Sequence, residues 1–264
     1  MTEYAPSEKE DRWIKEKIGF FSASKNKCIM AGYPNGFSKV AQSYMYHIQY
    51  QRNTNCPDPP VFARAMDIGV KGEPEAIMWY RENFPNYILH CDTNFTDKLF
   101  IKTNYGYGAS PDAFVIKSKL CDNNEDWRYL EIPFDNDIQK EIISLIEIKC
   151  VVGEILYWMF SSTVSFAKKR LYAFSLHRDQ LAGQLLVFPN IKTINLLVYN
   201  PQLDSNPLDF DSVTDKRRGL VFEYSRAEIG SYLELLEDRI IFCDNFLNRG
   251  YDIDLINDSY KIKK

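Results

Sequence analysis

The sequence has few of the residues that build zinc sites and iron–sulfur clusters, since only six cysteines and three histidines occur among 264 residues. The cysteines lie far apart with no Cys-x-x-Cys pair, and the histidines are equally scattered. Ligands of such centres come in closely spaced pairs. The spacing therefore indicates neither centre, and we expect reduced, mostly buried thiols.

Long apolar runs are also missing. No stretch approaches the roughly 18 to 20 continuous apolar residues needed to span a bilayer. The first residues, MTEYAPSEKEDRW, lack the apolar segment of a secretory signal. We therefore expect a soluble, intracellular protein with no membrane partner.

Positive charge is not in excess, because 32 Lys and Arg residues against 36 Asp and Glu residues give a net charge of −4. This balance argues against a protein that binds nucleic acid through its overall charge. It leaves room for a nuclease, since acidic metal ligands can lie beside a local basic groove. The basic triplets 168–170 and 216–218 could supply that groove, although each is also explained as a solvated surface run.

The length and the 45% hydrophobic content predict one folded domain over residues 1–264. Ser7 and Glu10 form a capping-box pattern that predicts an opening helix. Short β-branched or aromatic runs after residue 87 predict a sheet. Helices flanking a mixed central β-sheet, an α/β (α+β) class, are the expected packing. The parts are an N-terminal helical part (about 7–85), a catalytic core (about 86–200) and a C-terminal strand and helix (about 201–250).

A helical region is predicted over residues 62–84. We expect an interruption near Gly69 and Gly72, with Pro74 in the first turn of the helix that follows.

Candidate catalytic residues lie in the strand SLIEIKC and in the turn GASPDAFV. Strand alternation places Glu147 and Lys149 on one face, and Asp112 begins another strand that could lie beside them. Two converging carboxylates repel each other unless a cation lies between them, which predicts Mg²⁺ or Mn²⁺. An ordinary salt bridge for Glu147 and a plain turn for Ser-Pro-Asp are the alternatives.

Four blocks between about residues 12 and 200 together resemble a known family. They are RWIKEKIGFFSAS, IGVKGEPEAIMWY, GASPDAFV with LIEIKC, and RDQLAGQLLVF. In this order they are similar to the phage-type exonucleases of the lambda exonuclease and YqaJ recombinase group, within the PD…(D/E)xK nucleases. The resemblance implies a restriction-endonuclease-like core.

The resemblance also implies roles for individual residues. Its catalytic set is Glu73, Asp112, Glu147, Lys149 and Gln180. One or two Mg²⁺ or Mn²⁺ ions would be held by Asp112, Glu147, the backbone of Ile148, and Glu73. DNA phosphate would be contacted by Lys17, Ser22 and Ser24.

Each assignment outside the two strands has an alternative. Glu73 could be a solvated carboxylate in a first helical turn, and Gln184 competes with Gln180. Either Ser22 or Ser24 could cap a helix.

The implied activity is 5′ to 3′ digestion of duplex DNA from a free end, with a ring-shaped trimer and a single-strand annealing protein as partners. An endonuclease, an RNA-cleaving enzyme and a non-catalytic nucleic-acid-binding protein of the same fold remain alternatives. Two departures from the family affect the substrate. The connection 113–146 is 34 residues long, and Lys17 stands where an Arg would make a bidentate phosphate contact.

Overall fold

The computed structural model describes residues 8–58, 64–84, 87–91, 99–117, 133–151, 153–201 and 218–262. Three predictions lie outside the described residues. They are the capping role of Ser7, the part of the predicted sheet within 118–132, and the basic residues Lys216 and Arg217.

The described residues form helices and two β-sheets. The helices are α1 (Glu8–Lys17), α2 (Asn26–Met30), α3 (Lys39–Thr54), α4 (Arg64–Asn83), α5 (Asn136–Glu141), α6 (Gly153–Phe160), α7 (Phe166–Val187), α8 (Arg226–Asn248) and α9 (Ile256–Ile262). The strands are β1 (Phe21–Ser22), β2 (Tyr87–His90), β3 (Ile101–Lys102), β4 (Tyr107–Ala109), β5 (Ala113–Ile116), β6 (Ile142–Cys150), β7 (Thr193–Tyr199) and β8 (Gly219–Ser225).

The larger sheet has the strand order β2-β5-β6-β7-β8. Strand β6 lies at its centre, antiparallel to β5 and parallel to β7, while the outer pairs are antiparallel. The predicted mixed sheet with flanking helices is therefore confirmed. Strand β6 is thus an inner strand, and most of its side chains are buried on both faces of the sheet.

A second, three-stranded sheet has the order β1-β4-β3. The sequence predicted one sheet from the runs after residue 87. This is wrong for β3, which pairs with β4 in the smaller sheet. Strands β1 and β3 have two residues each and β4 has three. Segments this short show no alternation that a sequence pattern could detect.

Helix α4 runs without a break from Arg64 to Asn83, so the expected interruption near Gly69 and Gly72 is wrong. Pro74 lies inside this helix rather than in a first turn. Gly72 has a packing role instead. A Cβ at this position would lie 2.8 Å from Cys150 Sγ and 3.0 Å from Pro201 Cβ. The glycine therefore allows α4 to pack closely against β6.

Two apolar clusters lie on opposite faces of the larger sheet. Leu145 packs into the larger cluster, which extends along the chain from Phe21 to Ile256. Ile146 and Ile148 belong to the second cluster, which α4 covers. No helix in the part of the chain that the structure describes has the length and apolar character needed to cross a membrane.

Candidate active site

The pairing of β5 with β6 brings Asp112 beside the centre of β6. Ala113 pairs with Ile146, and the backbone N–H of Asp112 donates to the carbonyl of Ile146 at 3.2 Å. The N–H of Ile148 in turn donates to the Asp112 side chain, with an N–Oδ2 distance of 2.6 Å. The Ser-Pro-Asp turn thus orients a carboxylate at the point where β4 ends and β5 begins.

Glu147 is the most buried carboxylate of the site, with 1% of its surface exposed. Its Oε1 accepts hydrogen bonds from Lys149 Nζ and from Gln180 Nε2, the latter at 2.5 Å. Its Oε2 accepts a hydrogen bond from Gln184 Nε2. Both glutamines therefore contact Glu147, although the sequence presented them as competing alternatives. They lie four residues apart on α7, and this spacing places both on one helix face.

The electrostatics of the site follow from carboxylates held close together with little solvent. Burial, followed by repulsion from Glu147 and Glu73, raises the pKa of Asp112 well above its usual value. Burial alone would lower the pKa of Lys149, but attraction to Glu147 and Asp112 outweighs it and the pKa is raised overall. The two carboxylates therefore favour the ammonium form of Lys149.

These groups line a cleft with a volume of about 380 Å³. The walls also include Lys17, Ser22, Ser24 and Glu73, so every residue predicted for the site lies around one space. Glu73 lies in the interior of α4, which excludes the alternative of a first-turn carboxylate.

The two serines lie at the start of a short 3₁₀ helix over Ala23–Lys25. Ser22 precedes this helix without making a side-chain capping bond. Its hydroxyl lies 3.3 Å from the Ser24 hydroxyl. The serines are thus paired at the wall of the cleft, and the capping alternative is not observed for Ser22.

One wall of the cleft has aromatic residues that were not among the predicted site residues. The Lys17 Nζ lies 3.7 Å from the centre of the Trp13 ring, a cation–π contact. Trp13 Nε1 donates to Ser110 Oγ at 2.9 Å, which ties α1 to the turn that carries Asp112. The i, i+4 spacing of Trp13 and Lys17 on a helix was the available signal.

No protein-family model and no curated protein matches the sequence. Solved structures do match the fold. The alkaline exonuclease LHK-Exo from Laribacter hongkongensis is 16% identical, with a TM-score of 0.59 and coverage of 96% of this chain and 100% of that one. Its complex with dAMP gives 17% identity and the same TM-score of 0.59. A phage-related exonuclease from Haemophilus somnus 129PT is 9% identical, with a TM-score of 0.57 and coverage of 87% and 94%.

The chain has the fold of these exonucleases. At identities of 9–17%, the shared property is the fold.

The carboxylates of the cleft have the chemistry that a divalent cation requires. Asp112, Glu147 and the main chain of Ile148 offer oxygen ligands, which Mg²⁺ and Mn²⁺ prefer. A cation would also offset the repulsion between the two carboxylates. Among the described residues, no three His, Cys, Asp or Glu side chains are grouped to hold a metal. Asp112, Glu147 and the Ile148 main chain fit such an ion, and Glu73 lines the same cleft and raises the pKa of Asp112 through its charge.

The triplet 168–170 does not form a uniform basic surface. Lys168 is exposed, but only 8% of Lys169 is. The Arg170 guanidinium donates to Glu228 Oε1 at 2.5 Å and to the Glu223 carbonyl at 2.8 Å. Arg170 is thus engaged in holding α7 to the β8–α8 junction, and only Lys168 of the triplet is exposed.

Proposed function

We propose that the protein is a divalent-metal-dependent deoxyribonuclease that digests duplex DNA from a free end in the 5′ to 3′ direction. One observation carries the metal-dependent nuclease part of this proposal, and the 5′ to 3′ direction rests on the family resemblance. Asp112 and Glu147, on neighbouring strands, converge on one cleft together with the ammonium group of Lys149. The exonuclease fold of the neighbours supports it. One neighbour forms a complex with dAMP, a nucleoside monophosphate, and we expect mononucleotide products here as well.

Asp112, Glu147 and the Ile148 carbonyl are proposed to hold one or two Mg²⁺ or Mn²⁺ ions, with Glu73 adding negative charge nearby. When bound, such an ion neutralises charge on the phosphate and lowers the pKa of water. The protein supplies a buried, pre-oriented pair of carboxylates for this purpose.

Lys149 is proposed to stabilise the transition state as a cation. Attraction to Glu147 and Asp112 raises its pKa and favours the ammonium form. It therefore donates hydrogen bonds to the attacking water or to a phosphate oxygen and offsets the developing negative charge. Gln180 completes the set by donating to the same Glu147 oxygen as Lys149 does.

The other wall of the cleft is proposed to receive the DNA backbone. Lys17 offers one positive charge, while Ser22 and Ser24 offer two neighbouring hydroxyl groups. Backbone phosphates are contacted by such groups without regard to sequence. Because an ammonium group lacks the planar fork of a guanidinium, we expect weaker discrimination for a terminal phosphate than an Arg would give.

A trimeric ring and a single-strand annealing partner remain proposals that rest on the family resemblance. Light scattering on the purified chain tests the trimer, and co-purification with such an annealing protein tests the partnership.

Digestion of labelled linear duplex DNA tests the main proposal. With Mg²⁺ present, DNA labelled at the 5′ end should lose its label at once as a mononucleotide, and EDTA should stop the reaction. Label at the 3′ end should be released last. Cleavage of closed circular DNA would identify an endonuclease, and cleavage of RNA would identify a ribonuclease. DNA binding without cleavage of any substrate would support the non-catalytic alternative.

A further inference from the structure

Gln184 lies deep in the wall of the cleft, behind Glu147. Its side chain is fully buried, and its Nε2 donates to Glu147 Oε2. The second oxygen of Glu147 is occupied separately by Lys149 and Gln180. Each carboxylate oxygen is therefore held by at least one donor from outside the metal-ligand set.

We infer that Gln184 is a positioning residue that fixes the orientation of the Glu147 carboxylate for divalent-cation binding. This inference rests on the proposed function, since it concerns how that site is assembled.

The number of acceptor positions on Glu147 supports this role. An ionised carboxylate has about four lone-pair positions. Three are used by donors from Lys149, Gln180 and Gln184. The remaining lone-pair position of Glu147 has a fixed direction, because the donors on α7 prevent the carboxylate from rotating. A cation therefore meets a pre-oriented ligand.

The other end of the Gln184 amide argues against a role in stability alone. Its Oε1 is buried and has no hydrogen-bond partner among the described residues. A buried acceptor without a hydrogen bond destabilises a fold. The contact that offsets this cost is the donation of Nε2 to Glu147, which places the function of the side chain at that carboxylate.

The backbone around Gln184 is held firmly in place. The neighbouring Gly183 packs so closely that a Cβ there would clash with the Tyr107 hydroxyl and the Asn26 amide. Asn26 Nδ2 also donates to the Asp179 carbonyl on α7 at 2.8 Å. These contacts hold α7 against β4 and α2, so the backbone of Gln184 has little freedom to move relative to the cleft.

Gln184→Met in the full chain tests the inference, because methionine keeps the volume and removes the donor. We expect Mn²⁺ affinity, measured by calorimetry, to fall by about tenfold or more, and kcat on linear duplex DNA to fall similarly. KM for DNA should be unchanged, since Gln184 is not placed to contact the DNA backbone. Circular dichroism should show a folded chain, so that Mn²⁺ affinity and kcat are compared between folded proteins.

Asn195→Leu is the matched control. Asn195 is a buried amide on β7 that donates to Tyr80 and Ser144, and it pairs in register with Ile146 rather than with Glu147. We expect this variant to lower stability and to leave Mn²⁺ affinity unchanged. Gln184→Leu serves as a second donor-free variant if the methionine variant does not fold.

The outcomes separate this inference from the proposed function. Wild-type Mn²⁺ affinity and kcat in Gln184→Met overturn the inference while the nuclease proposal stands. A wild-type chain that binds Mn²⁺ but cleaves no DNA overturns the nuclease proposal, and weaker Mn²⁺ binding in Gln184→Met would still support the positioning role. A wild-type chain that binds no Mn²⁺ overturns the inference.

Discussion

At the scale of single residues, the contact between Glu147 and Lys149 has two interpretations, an ordinary salt bridge and a part of an active site. The salt bridge that served as the alternative interpretation exists, since Lys149 and Glu147 form an ion pair. It lies on a central strand and is accompanied by Asp112 and two glutamines. The pair alone therefore does not distinguish the two interpretations, but the surrounding residues favour an assembled site.

We predict that Lys149→Ala lowers the rate of DNA cleavage by about 100-fold or more. The loss of the cation removes charge stabilisation at the phosphate, while Asp112 and Glu147 remain to bind metal. Initial rates on end-labelled duplex DNA measure the effect, and circular dichroism with Mn²⁺ calorimetry should show an intact fold and site.

Lys168→Ala is the control, because Lys168 is exposed on α7. It should cleave DNA close to the wild-type rate. Full activity in Lys149→Ala would refute the assignment of Lys149.

His177 makes the stability of the protein depend on pH. Burial, followed by repulsion from Lys149 and Lys27, lowers its pKa from 6.5 to about 4. The unfolded chain therefore binds a proton between these values that the folded chain does not, so the free energy of unfolding falls as pH falls through this range. We predict that this histidine accounts for a loss of about 2 kcal/mol from about pH 7.5 to about pH 5.

Urea unfolding of wild type and His177→Gln at both pH values checks this prediction. The variant should lose less stability than the wild type on acidification, while Ser175→Ala, an exposed change on the same helix, should behave like the wild type. Equal pH dependence in wild type and His177→Gln would exclude His177 as the source.

At the scale of secondary structure, α7 determines whether the site is assembled. It supplies both glutamines, and Gly183 lets it approach Tyr107 and Asn26. We predict that Gly183→Ala lowers stability by about 1–3 kcal/mol, because an inserted methyl group must displace packed neighbours. DNA cleavage should fall as well, because the displaced helix carries the Glu147 donors with it.

Gly230→Ala on α8 is the matched helical control, since a Cβ there meets no atom within 4 Å. It should stabilise the protein by about 0.5–1 kcal/mol through helix propensity. Chemical unfolding and cleavage rates of both variants make the comparison. Similar effects at the two glycines would contradict the packing argument.

The elements differ in how well the sequence anticipated them. The strand and helix predicted within about 201–250 are present as β8 (Gly219–Ser225) and α8 (Arg226–Asn248). A long helix such as α8 has many apolar residues that repeat at the same helical spacing, so its sequence pattern is easy to detect. The short β1 and β4 were missed, because their pairing depends on partners far away in the chain.

At the scale of the whole molecule, Arg52 links the N-terminal and C-terminal helices. Its guanidinium donates to the Gly19 carbonyl at 2.8 Å and to Asp244 Oδ1 at 2.5 Å. The Asp244 side chain is 8% exposed. Removing Arg52 would therefore leave the buried Asp244 carboxylate with the hydrogen bond from Asn248 but without this guanidinium.

We predict that Arg52→Met lowers the free energy of unfolding by about 3–5 kcal/mol. If residues 1–264 form one domain, as the sequence predicts, the variant should still unfold in a single cooperative transition at a lower urea concentration. Lys140→Met, which removes an exposed ion pair with Asp137, is the control and should change stability little. Two separate transitions would contradict the single-domain prediction.

The sequence by itself determined the chemistry that each position could offer. Alternation along SLIEIKC fixes Glu147 and Lys149 on one face, and the helical spacing of Gln180 and Gln184 fixes a shared face, because both periods are properties of the local backbone. Tertiary structure alone decided that these faces meet at one cleft with Asp112, Lys17 and Glu73. Burial, the pKa of Asp112 and the contact of both glutamines with Glu147 depend on distances between segments remote in the chain, which a local pattern does not contain.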